Sequence, residues 1–277
     1  MCSLVVLNRR RHKHLASPQL QHMVPAMNDL GISATHLLLL GGSGEARHIA
    51  AALAEKSAMR VTASLLYPAR VHPDLPVPTR FGGFGGDDGF RVFLAVEGIG
   101  AVLDATHPFS TRIAARTARI CHELSLPHAR LLRPEWTSEP GDNWRFARDE
   151  AEASTMLLPG QKVFATTGQA SLGALVGDSL AEFKVRKLTD RAPSRQYRNV
   201  EFIRGQGPFS VEQEIATFKS LSIDVLVAKN SGGAVSRTKL DAARALGLPV
   251  ILIDRPSQPE ATLLPDVAAA LDWIDAL

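Results

Sequence analysis

A repeated peptide constrains the fold of this chain more than any other feature. Residues 126–134 read LPHARLLRP and residues 248–256 read LPVILIDRP, so the same Leu-Pro, five-residue, Arg-Pro pattern recurs after 122 residues. His107 and Lys229 each lie 20 residues before the proline that opens their repeat. The chain is therefore predicted to contain two similar halves, and a cleft between two such halves commonly binds small molecules.

Apolar runs alternate with amphipathic segments through both halves, which favours βαβ units and mainly parallel sheets. The pattern breaks near residues 135–160, where we place a hinge. We predict an α/β protein with a disordered basic extension (1–33), a first domain (34–148) and a second domain (149–277). Strands are predicted at residues 36–40, 60–66, 101–106, 128–132, 162–166, 183–188, 224–228 and 250–254, and helices at 45–56, 90–97, 111–124, 170–175, 211–219, 236–246 and 266–276.

The charge of the chain is unevenly distributed. The net charge is +3, and residues 1–33 account for all of it because four basic residues there stand against one aspartate. The remaining neutral body has no basic field of the kind that binds nucleic acid. No apolar run approaches the ~18 residues that span a bilayer. The two cysteines form no disulfide framework, and no Cys/His cluster has metal-binding spacing. We expect a cytoplasmic protein that binds neither nucleic acid, membrane nor metal.

The turn after the first predicted strand has the composition of a phosphate site. Glycines let a phosphate approach the backbone, and the following helix offers free N–H groups and its positive dipole end. In the G-x-G-x-x-G register from Gly42, Arg47 replaces the last glycine, so a plain tight turn remains the alternative. The predicted pyrophosphate-binding residues are Gly41, Gly42, Ser43, Gly44, Glu45 and Ala46.

The segment after the second predicted strand indicates which dinucleotide would bind. NAD-binding folds usually place an acidic residue there for the ribose hydroxyls. This chain has no acid between Val61 and Arg70, whereas Ser64 and Arg70 could accept a 2′-phosphate. The pattern favours NADP over NAD, with an ordinary surface arginine as the alternative for Arg70.

Polar loops follow two further predicted strands, at the edge where open α/β sheets bind their ligands. The first loop contains Thr106 and His107, and its histidine could donate a proton or orient a carboxylate, although a merely solvated histidine is the alternative. The second loop is a candidate anion site that holds Lys229, Asn230, Ser231, Gly232 and Gly233. A weaker candidate of the same kind contains Thr166, Thr167 and Gly168. Asp104 is expected to be structural.

Several of these motifs occur together in one enzyme family. The pieces LLLGGSGEAR, RFGGFGG, DATHPFS, LPHARLLRPEW, VFATTG and VAKNSGGAVSRTKLDAARALGLPVILIDRP span residues 36–256 in the family's order. On these residues the chain resembles the precorrin-6A reductases of cobalamin biosynthesis. The resemblance implies two Rossmann-like domains, with the substrate between them, and NADPH-dependent reduction of a macrocycle double bond in a tetrapyrrole rich in carboxylates.

The resemblance also assigns roles to individual residues. It implies His107 and Lys229 as catalytic residues, either of which could supply the proton or stabilise charge, with water as the alternative proton source. It implies Gly82, Gly83 and Thr106 as cofactor contacts. Phe109 and Arg255, together with the loops of Thr167–Gly168 and Asn230–Gly233, are implied as substrate contacts. It implies precorrin-6A as the partner molecule and transient contacts with neighbouring enzymes of the pathway. The alternatives are reduction of the cobalt-containing form of the substrate and a non-catalytic module that senses NADP.

Overall fold

The computed structural model describes residues 35–56, 59–67, 75–187, 196–205 and 207–277. The predicted extension and Arg70 lie outside these described residues. The elements in chain order are β1 (His36–Leu40), α1 (Gly44–Ala54), β2 (Arg60–Leu65), β3 (Thr79–Phe81), α2 (Gly86–Val96), β4 (Ala101–Asp104), α3 (Thr111–Glu123), β5 (His128–Leu131), β6 (Trp144–Ala147), α4 (Glu150–Thr155), β7 (Lys162–Ala165), α5 (Leu172–Val176), β8 (Glu182–Lys187), β9 (Val200–Arg204), α6 (Val211–Ser220), β10 (Val225–Lys229), α7 (Thr238–Ala245), β11 (Val250–Ile253), β12 (Thr262–Leu264) and α8 (Val267–Asp275).

The strands form two parallel sheets of six strands each, which confirms the predicted α/β class. The first sheet has the order β12-β5-β4-β1-β2-β3, and the second has the order β6-β11-β10-β7-β8-β9. In the first sheet the chain starts at the inner strand β1, builds outward through β2 and β3 and then crosses to β4 and β5. In the second sheet β7, β8 and β9, followed by β10 and β11, take the same path. The strand order reverses between the neighbouring strands β1 and β4 in the first sheet, and between β7 and β10 in the second. Sheets of this kind bind ligands at the carboxyl ends of the strands where the order reverses.

The outermost strands are exchanged between the halves. After β5 the chain crosses over and adds β6 to the second sheet, and after β11 it crosses back and adds β12 to the first. The helices follow the same rule, because α4 packs on α5 of the second half and α8 packs on α1 of the first. The sheets thus do not divide at residue 148, while the division into two domains stays a prediction.

Apolar periodicity explains why these segments form these elements. All five residues of β1 are buried, as expected for a central parallel strand covered by helices on both faces. Helix α1 buries Ala46, Ile49, Ala50 and Leu53, whose spacing places them on one face against that sheet. Burying each of the larger side chains stabilises the fold by ~1.5–3 kcal/mol. This packing holds the loops at the carboxyl ends of β1 and β4 in fixed positions.

Candidate active site

The glycine turn after β1 is open on the side that faces solvent. Gly42 has a φ of +156°, and a side chain there would meet the backbone of Thr106 at 3.6 Å. A Cβ on Gly44 would meet no atom within 4 Å. The Ser43 side chain accepts a hydrogen bond from the Ala46 N–H at 3.2 Å and so begins α1. The turn therefore presents exposed backbone and a helix N-terminus between β1 and β4.

Arg133 joins this turn to the second half. Its Nη1 donates to both carboxylate oxygens of Glu45 at 2.8 Å, and its Nε donates to the Ser231 carbonyl at 3.2 Å. Burial opposes ionisation of Glu45, but the hydrogen bond and charge of Arg133, together with hydrogen bonds from the backbone and from Ser43, hold the pKa of Glu45 below its ordinary value. The charge of Glu45 is thus balanced within the protein, at the start of α1.

A guanidinium group lies beside Ser64 at the end of β2, and it belongs to Arg80. Arg80 Nη1 donates to the Ser64 hydroxyl at 2.8 Å and to the Gly82 carbonyl at 3.0 Å, while Nη2 donates to the Gly83 carbonyl at 2.9 Å. The guanidinium also stacks over the Phe84 ring at 4.1 Å. Arg80 therefore places a guanidinium beside Ser64, while the prediction for Arg70 lies outside the described residues.

The loop after β4 is held by a buried ion pair. The Asp104 carboxylate accepts from the Thr106 N–H at 2.9 Å and pairs with the Arg130 guanidinium, and both side chains are fully buried. This confirms the expected structural role of Asp104. The pair places Thr106 and His107 beside the glycine turn.

His107 is held as a neutral ring. The Phe109 N–H donates to its Nδ1 at 3.2 Å, so the neutral ring carries its proton on Nε2. Burial, together with the positive charges of Arg133, Lys229, Lys239 and Arg255, lowers the pKa of His107 to about 4. Near neutral pH the side chain can donate a hydrogen bond through Nε2, but it carries no extra proton.

Lys229, at the end of β10, is engaged on one side by the second half. Its Nζ forms an ion pair with Glu150 at 2.9 Å and donates to the Ser171 hydroxyl at 2.9 Å. It also lies 5.1 Å from the centre of the Phe109 ring. The lysine is therefore positioned at the point where the loop after β4 meets the second half.

The rest of the loop after β10 packs tightly against the Arg-Pro segment of the first half. The buried Asn230 side chain accepts from the Trp136 N–H at 2.9 Å and donates to Glu135 at 3.1 Å. A Cβ on Gly232 would lie 2.1 Å from the Pro134 carbonyl oxygen, and one on Gly233 would lie 2.8 Å from Arg133. These residues fix the junction of the halves, and their role in substrate binding stays a prediction.

The two repeated Arg-Pro segments contact each other directly. Arg255 Nη1 donates to the Arg133 carbonyl at 2.8 Å, across the 122-residue repeat, and its Nε donates to the Asn230 carbonyl at 3.3 Å. The buried Nη2 of Arg255 has no hydrogen-bond partner among the described residues. Arg255 thus keeps one donor available at the junction.

A cleft of about 320 Å³ opens where these loops meet. The buried hydroxyls of Thr166 and Thr167 have no hydrogen-bond partner within the described part of the chain. Since buried polar groups are normally paired, these hydroxyls indicate a site for a polar ligand. The cleft is lined by His107, Phe109, Ser110, Thr166, Thr167, Gly168, Lys229, Ser231 and Lys239.

The strand register corrects the equivalence between His107 and Lys229 that the repeat spacing suggests. Val102 pairs with His128 in the first sheet, and Leu226 pairs with Val250 in the second. The segment between the two strands is therefore two residues longer in the first half. In consequence Lys229 corresponds to Ala105, and His107 corresponds to Ser231. The two predicted catalytic residues still line one cleft, but they are not symmetry-related.

The predicted site residues thus fall into three groups. The glycine turn, Ser64, Gly82, Gly83 and Thr106 lie along the carboxyl edge of the first sheet, and the cleft-lining residues lie at the junction. Asn230, Gly232 and Gly233 lie behind the cleft. Sequence reasoning missed four charged residues. Arg133 could have been found, because it occupies the same position in its repeat as Arg255. The other three are Arg80, Glu150 and Lys239, which belong to no sequence motif and reach the site only through the fold.

Two further classes of site have no support among the described residues. No group of three or more His, Cys, Asp or Glu side chains is arranged to hold a metal ion there. Within the same residues, no helix combines the length and apolar character that crossing a membrane requires.

Comparisons with known proteins agree with this geometry. The family model for precorrin-6x reductase CbiJ/CobK matches residues 36–275. A precorrin-6A reductase of Rhodococcus erythropolis is 41% identical over 246 residues, which cover 88% of this chain and 98% of that protein. One from Mycobacterium tuberculosis is 40% identical over 247 residues, with coverage of 88% and 98%. The solved structure of CobK precorrin-6A reductase has a TM-score of 0.80 at 33% identity, and covers 87% of this chain and 96% of that one. The chain belongs to the precorrin-6A reductase family.

Proposed function

We propose that this protein reduces a macrocycle double bond of precorrin-6A with NADPH, in cobalamin biosynthesis. The observation that carries the proposal is the cleft at the junction of the two halves. It adjoins the glycine turn through Thr106 and His107, and on its other side it is lined by cations and unpartnered hydroxyls. A dinucleotide held by the first half would therefore reach a substrate held by the second.

The first half fits a dinucleotide. The exposed backbone at Gly42 and the open space beside Gly44 leave room for a pyrophosphate at the N-terminus of α1. Gly82 and Gly83 likewise border open space, and Arg80 lies between them and Ser64. A planar guanidinium and a hydroxyl are suitable donors for a ribose 2′-phosphate, which favours NADPH over NADH.

The junction fits a substrate that carries several carboxylates. Burial is the main cause that lowers the pKa of His107, and the positive charges of Arg133, Lys229, Lys239 and Arg255 act in the same direction. Such a concentration of positive charge in a neutral body attracts acetate and propionate groups. The free Nη2 of Arg255 and the hydroxyls of Thr166 and Thr167 offer additional donors. The substrate would be bound by its periphery, with its ring in the cleft.

The residues of the chain would mainly position and polarise the reactants. When bound, a reduced nicotinamide supplies the hydride, and the protein sets the distance and orientation. The neutral His107 could donate a hydrogen bond from Nε2 to the ring, and Phe109 would exclude water beside it. Lys229, fixed by Glu150 and Ser171, would stabilise charge that develops on the reduced ring.

The form of the substrate is the finer part of the proposal. The relatives named for precorrin-6A are 34–41% identical to this chain, whereas those named for cobalt-precorrin-6A are 24–29% identical, so we propose the cobalt-free macrocycle. A cytoplasmic location and transient contacts with neighbouring pathway enzymes also stay predictions of this proposal.

Turnover on matched substrates tests the proposed function. The purified protein should oxidise NADPH in proportion to the precorrin-6A that it reduces, and it should act at least tenfold more slowly with cobalt-precorrin-6A or with NADH. NADPH binding without turnover on either macrocycle would instead support an NADP-sensing module. Faster turnover of the cobalt form would overturn the assignment of the substrate.

A further inference from the structure

Reduction of a double bond consumes a proton as well as a hydride, and the cleft contains three side chains that could supply it. These are His107, Lys229 and Lys239, which line the same space. A general acid must carry its proton near the working pH and must be able to release it toward the substrate. The surroundings of the three groups differ enough to choose between them.

His107 does not meet the first condition. Burial and the four neighbouring cations lower its pKa to about 4, so the ring is neutral near pH 7. Its Nδ1 already accepts a hydrogen bond from Phe109. His107 is therefore suited to orient a substrate, whereas a proton from its Nε2 would leave an anionic ring.

Lys229 does not meet the second condition. The Glu150 carboxylate lies 2.9 Å from its Nζ, and the Ser171 hydroxyl lies at the same distance. Both contacts engage its N–H groups within the second half. Lys229 is therefore better suited to act as a fixed positive charge.

Lys239 meets both conditions. Its ammonium group rests over the Trp136 ring at 4.9 Å and donates to the Ser236 carbonyl. Among the described residues no carboxylate lies within ion-pair distance of it. The neighbouring ion pair between Arg186 and Glu214 is closed on itself, with two hydrogen bonds of 2.6 Å.

The electrostatic surroundings support this choice. Burial is the main cause that lowers the pKa of Lys239 to about 8. Glu214 on α6 acts in the opposite direction, while Arg186 on β8 and Arg133 in the loop after β5 add to the decrease. His107 and Lys229 share the cleft and are neutral and cationic, respectively. A lysine in this range is mostly protonated at pH 7 and still releases its proton readily.

We propose that the Lys239 ammonium group donates the proton that completes reduction of the macrocycle. This inference rests on the proposed reductase function. The reduced dinucleotide provides a hydride to one atom of the double bond, and the π electron pair takes the Lys239 proton at the other. The dinucleotide is oxidised, the ring gains two hydrogens, and the neutral amine regains its proton from water.

The pH dependence of Lys239→Met tests the proposal. Since the protonated lysine is the active form, wild-type kcat/KM at saturating NADPH should be high below pH 8 and fall as the pH rises above it. The variant should lose roughly 100-fold in kcat at pH 7, and its alkaline decrease should vanish. In Lys239→Ala, whose short side chain leaves room for a small amine, methylamine should restore part of the rate. Lys219→Met, an exposed lysine at the end of α6, is the matched control and should behave as wild type.

Other results would overturn the assignment. A higher KM with an unchanged pH profile would show that Lys239 only anchors a carboxylate. A direct titration of the ammonium group in ¹⁵N-lysine-labelled wild-type protein, assigned with Lys239→Arg, keeps the test independent of turnover and of how Lys239→Met folds. It should give a pKa near 8, and an ordinary lysine value would contradict the proposal. Inactive wild-type protein with that titration intact would instead count against the proposed reductase function.

Discussion

The two halves share one strand order but differ in the loops that follow their equivalent strands. After β1 the chain turns through three glycines directly into α1, which has 11 residues. After β7 it passes through two threonines and one glycine before α5, which has only 5 residues. The first loop exposes backbone and a long helix N-terminus, whereas the second exposes hydroxyls. We infer that the same topology presents a surface suited to phosphates on one side and a surface suited to carboxylates on the other.

The two halves also differ in how their charged side chains are paired. In the first half, Glu45 is neutralised by Arg133 and Asp104 by Arg130, so these acids and bases balance within the fold. In the second half Lys229 is likewise paired with Glu150, but Lys239 faces the cleft without such a partner among the described residues. The repeat accounts for the shared strand order, and the side chains at the strand ends support the proposed difference in role between the halves.

Equivalent valine substitutions in the two turns should show the largest difference. Gly42→Val would place a branched side chain beside Thr106, at a positive φ, where the phosphates must approach. NADPH affinity should fall by more than about 100-fold, or ~2.7 kcal/mol. Gly168→Val, in the turn after β7, should change NADPH affinity by no more than about 0.5 kcal/mol.

Calorimetric titration with NADPH, together with a melting curve for each variant, measures this difference. Gly168→Val should instead slow turnover of the tetrapyrrole. If both variants lose NADPH equally while remaining folded, the proposed division between the halves is wrong.

Arg80 and Arg70 provide a pair that tests cofactor selectivity within the first half. Charge-assisted hydrogen bonds contribute about 1.5–3 kcal/mol, so Arg80→Ala should weaken NADPH roughly 10- to 100-fold and leave NADH nearly unchanged. Arg70→Ala tests the sequence-based assignment in the same assay. Equal losses for both cofactors in Arg80→Ala would show that the guanidinium only supports the Gly82–Gly83 loop.

Lys229 tests the substrate side. Lys229→Ala should cut turnover of the tetrapyrrole at least about tenfold, the loss of one charge-assisted contact, while NADPH affinity falls less. Glu150→Gln keeps the lysine and removes its ion-pair partner, so it should reduce turnover by a smaller factor. Steady-state kinetics and cofactor titration on both variants distinguish an effect on turnover from an effect on NADPH affinity. Unchanged turnover in Lys229→Ala would show that the lysine has no catalytic role.

The smallest effect is expected outside both sheets. Deletion of residues 1–33 should leave melting temperature and turnover nearly unchanged, because this segment has no periodic apolar face and carries the excess charge. Thermal unfolding of the shortened and full-length chains checks this, and a loss of several kcal/mol in stability would contradict it.

The sequence predicts the buried elements well and the edges poorly. All eight predicted strands are present, because central parallel strands are continuous apolar runs such as that of β1. Edge strands bury only part of their length and show no such run, which is why β3, β6, β9 and β12 were missed. The strand predicted at 101–106 ends at Asp104 in the structure, because the Asp104 carboxylate accepts a hydrogen bond from the Thr106 N–H and a turn begins there.

The residues of the candidate site also differ in how well the sequence predicts them. Residues in strand-end loops, such as Gly42, His107 and Lys229, could be predicted because topology brings those loops to one edge. Arg80 and Lys239 could not, because an arginine in a three-residue strand and a lysine in a helix look like ordinary surface residues. Only their long-range contacts place them at a site.

A structure of the protein with NADP⁺ and the reduced tetrapyrrole tests the central claim most directly. We expect the pyrophosphate at Gly42 and Gly44, the 2′-phosphate at Arg80, and the nicotinamide and macrocycle together in the cleft between His107 and Lys239. A dinucleotide bound at the second half, or a macrocycle bound away from that cleft, would contradict the proposed division of roles between the two halves.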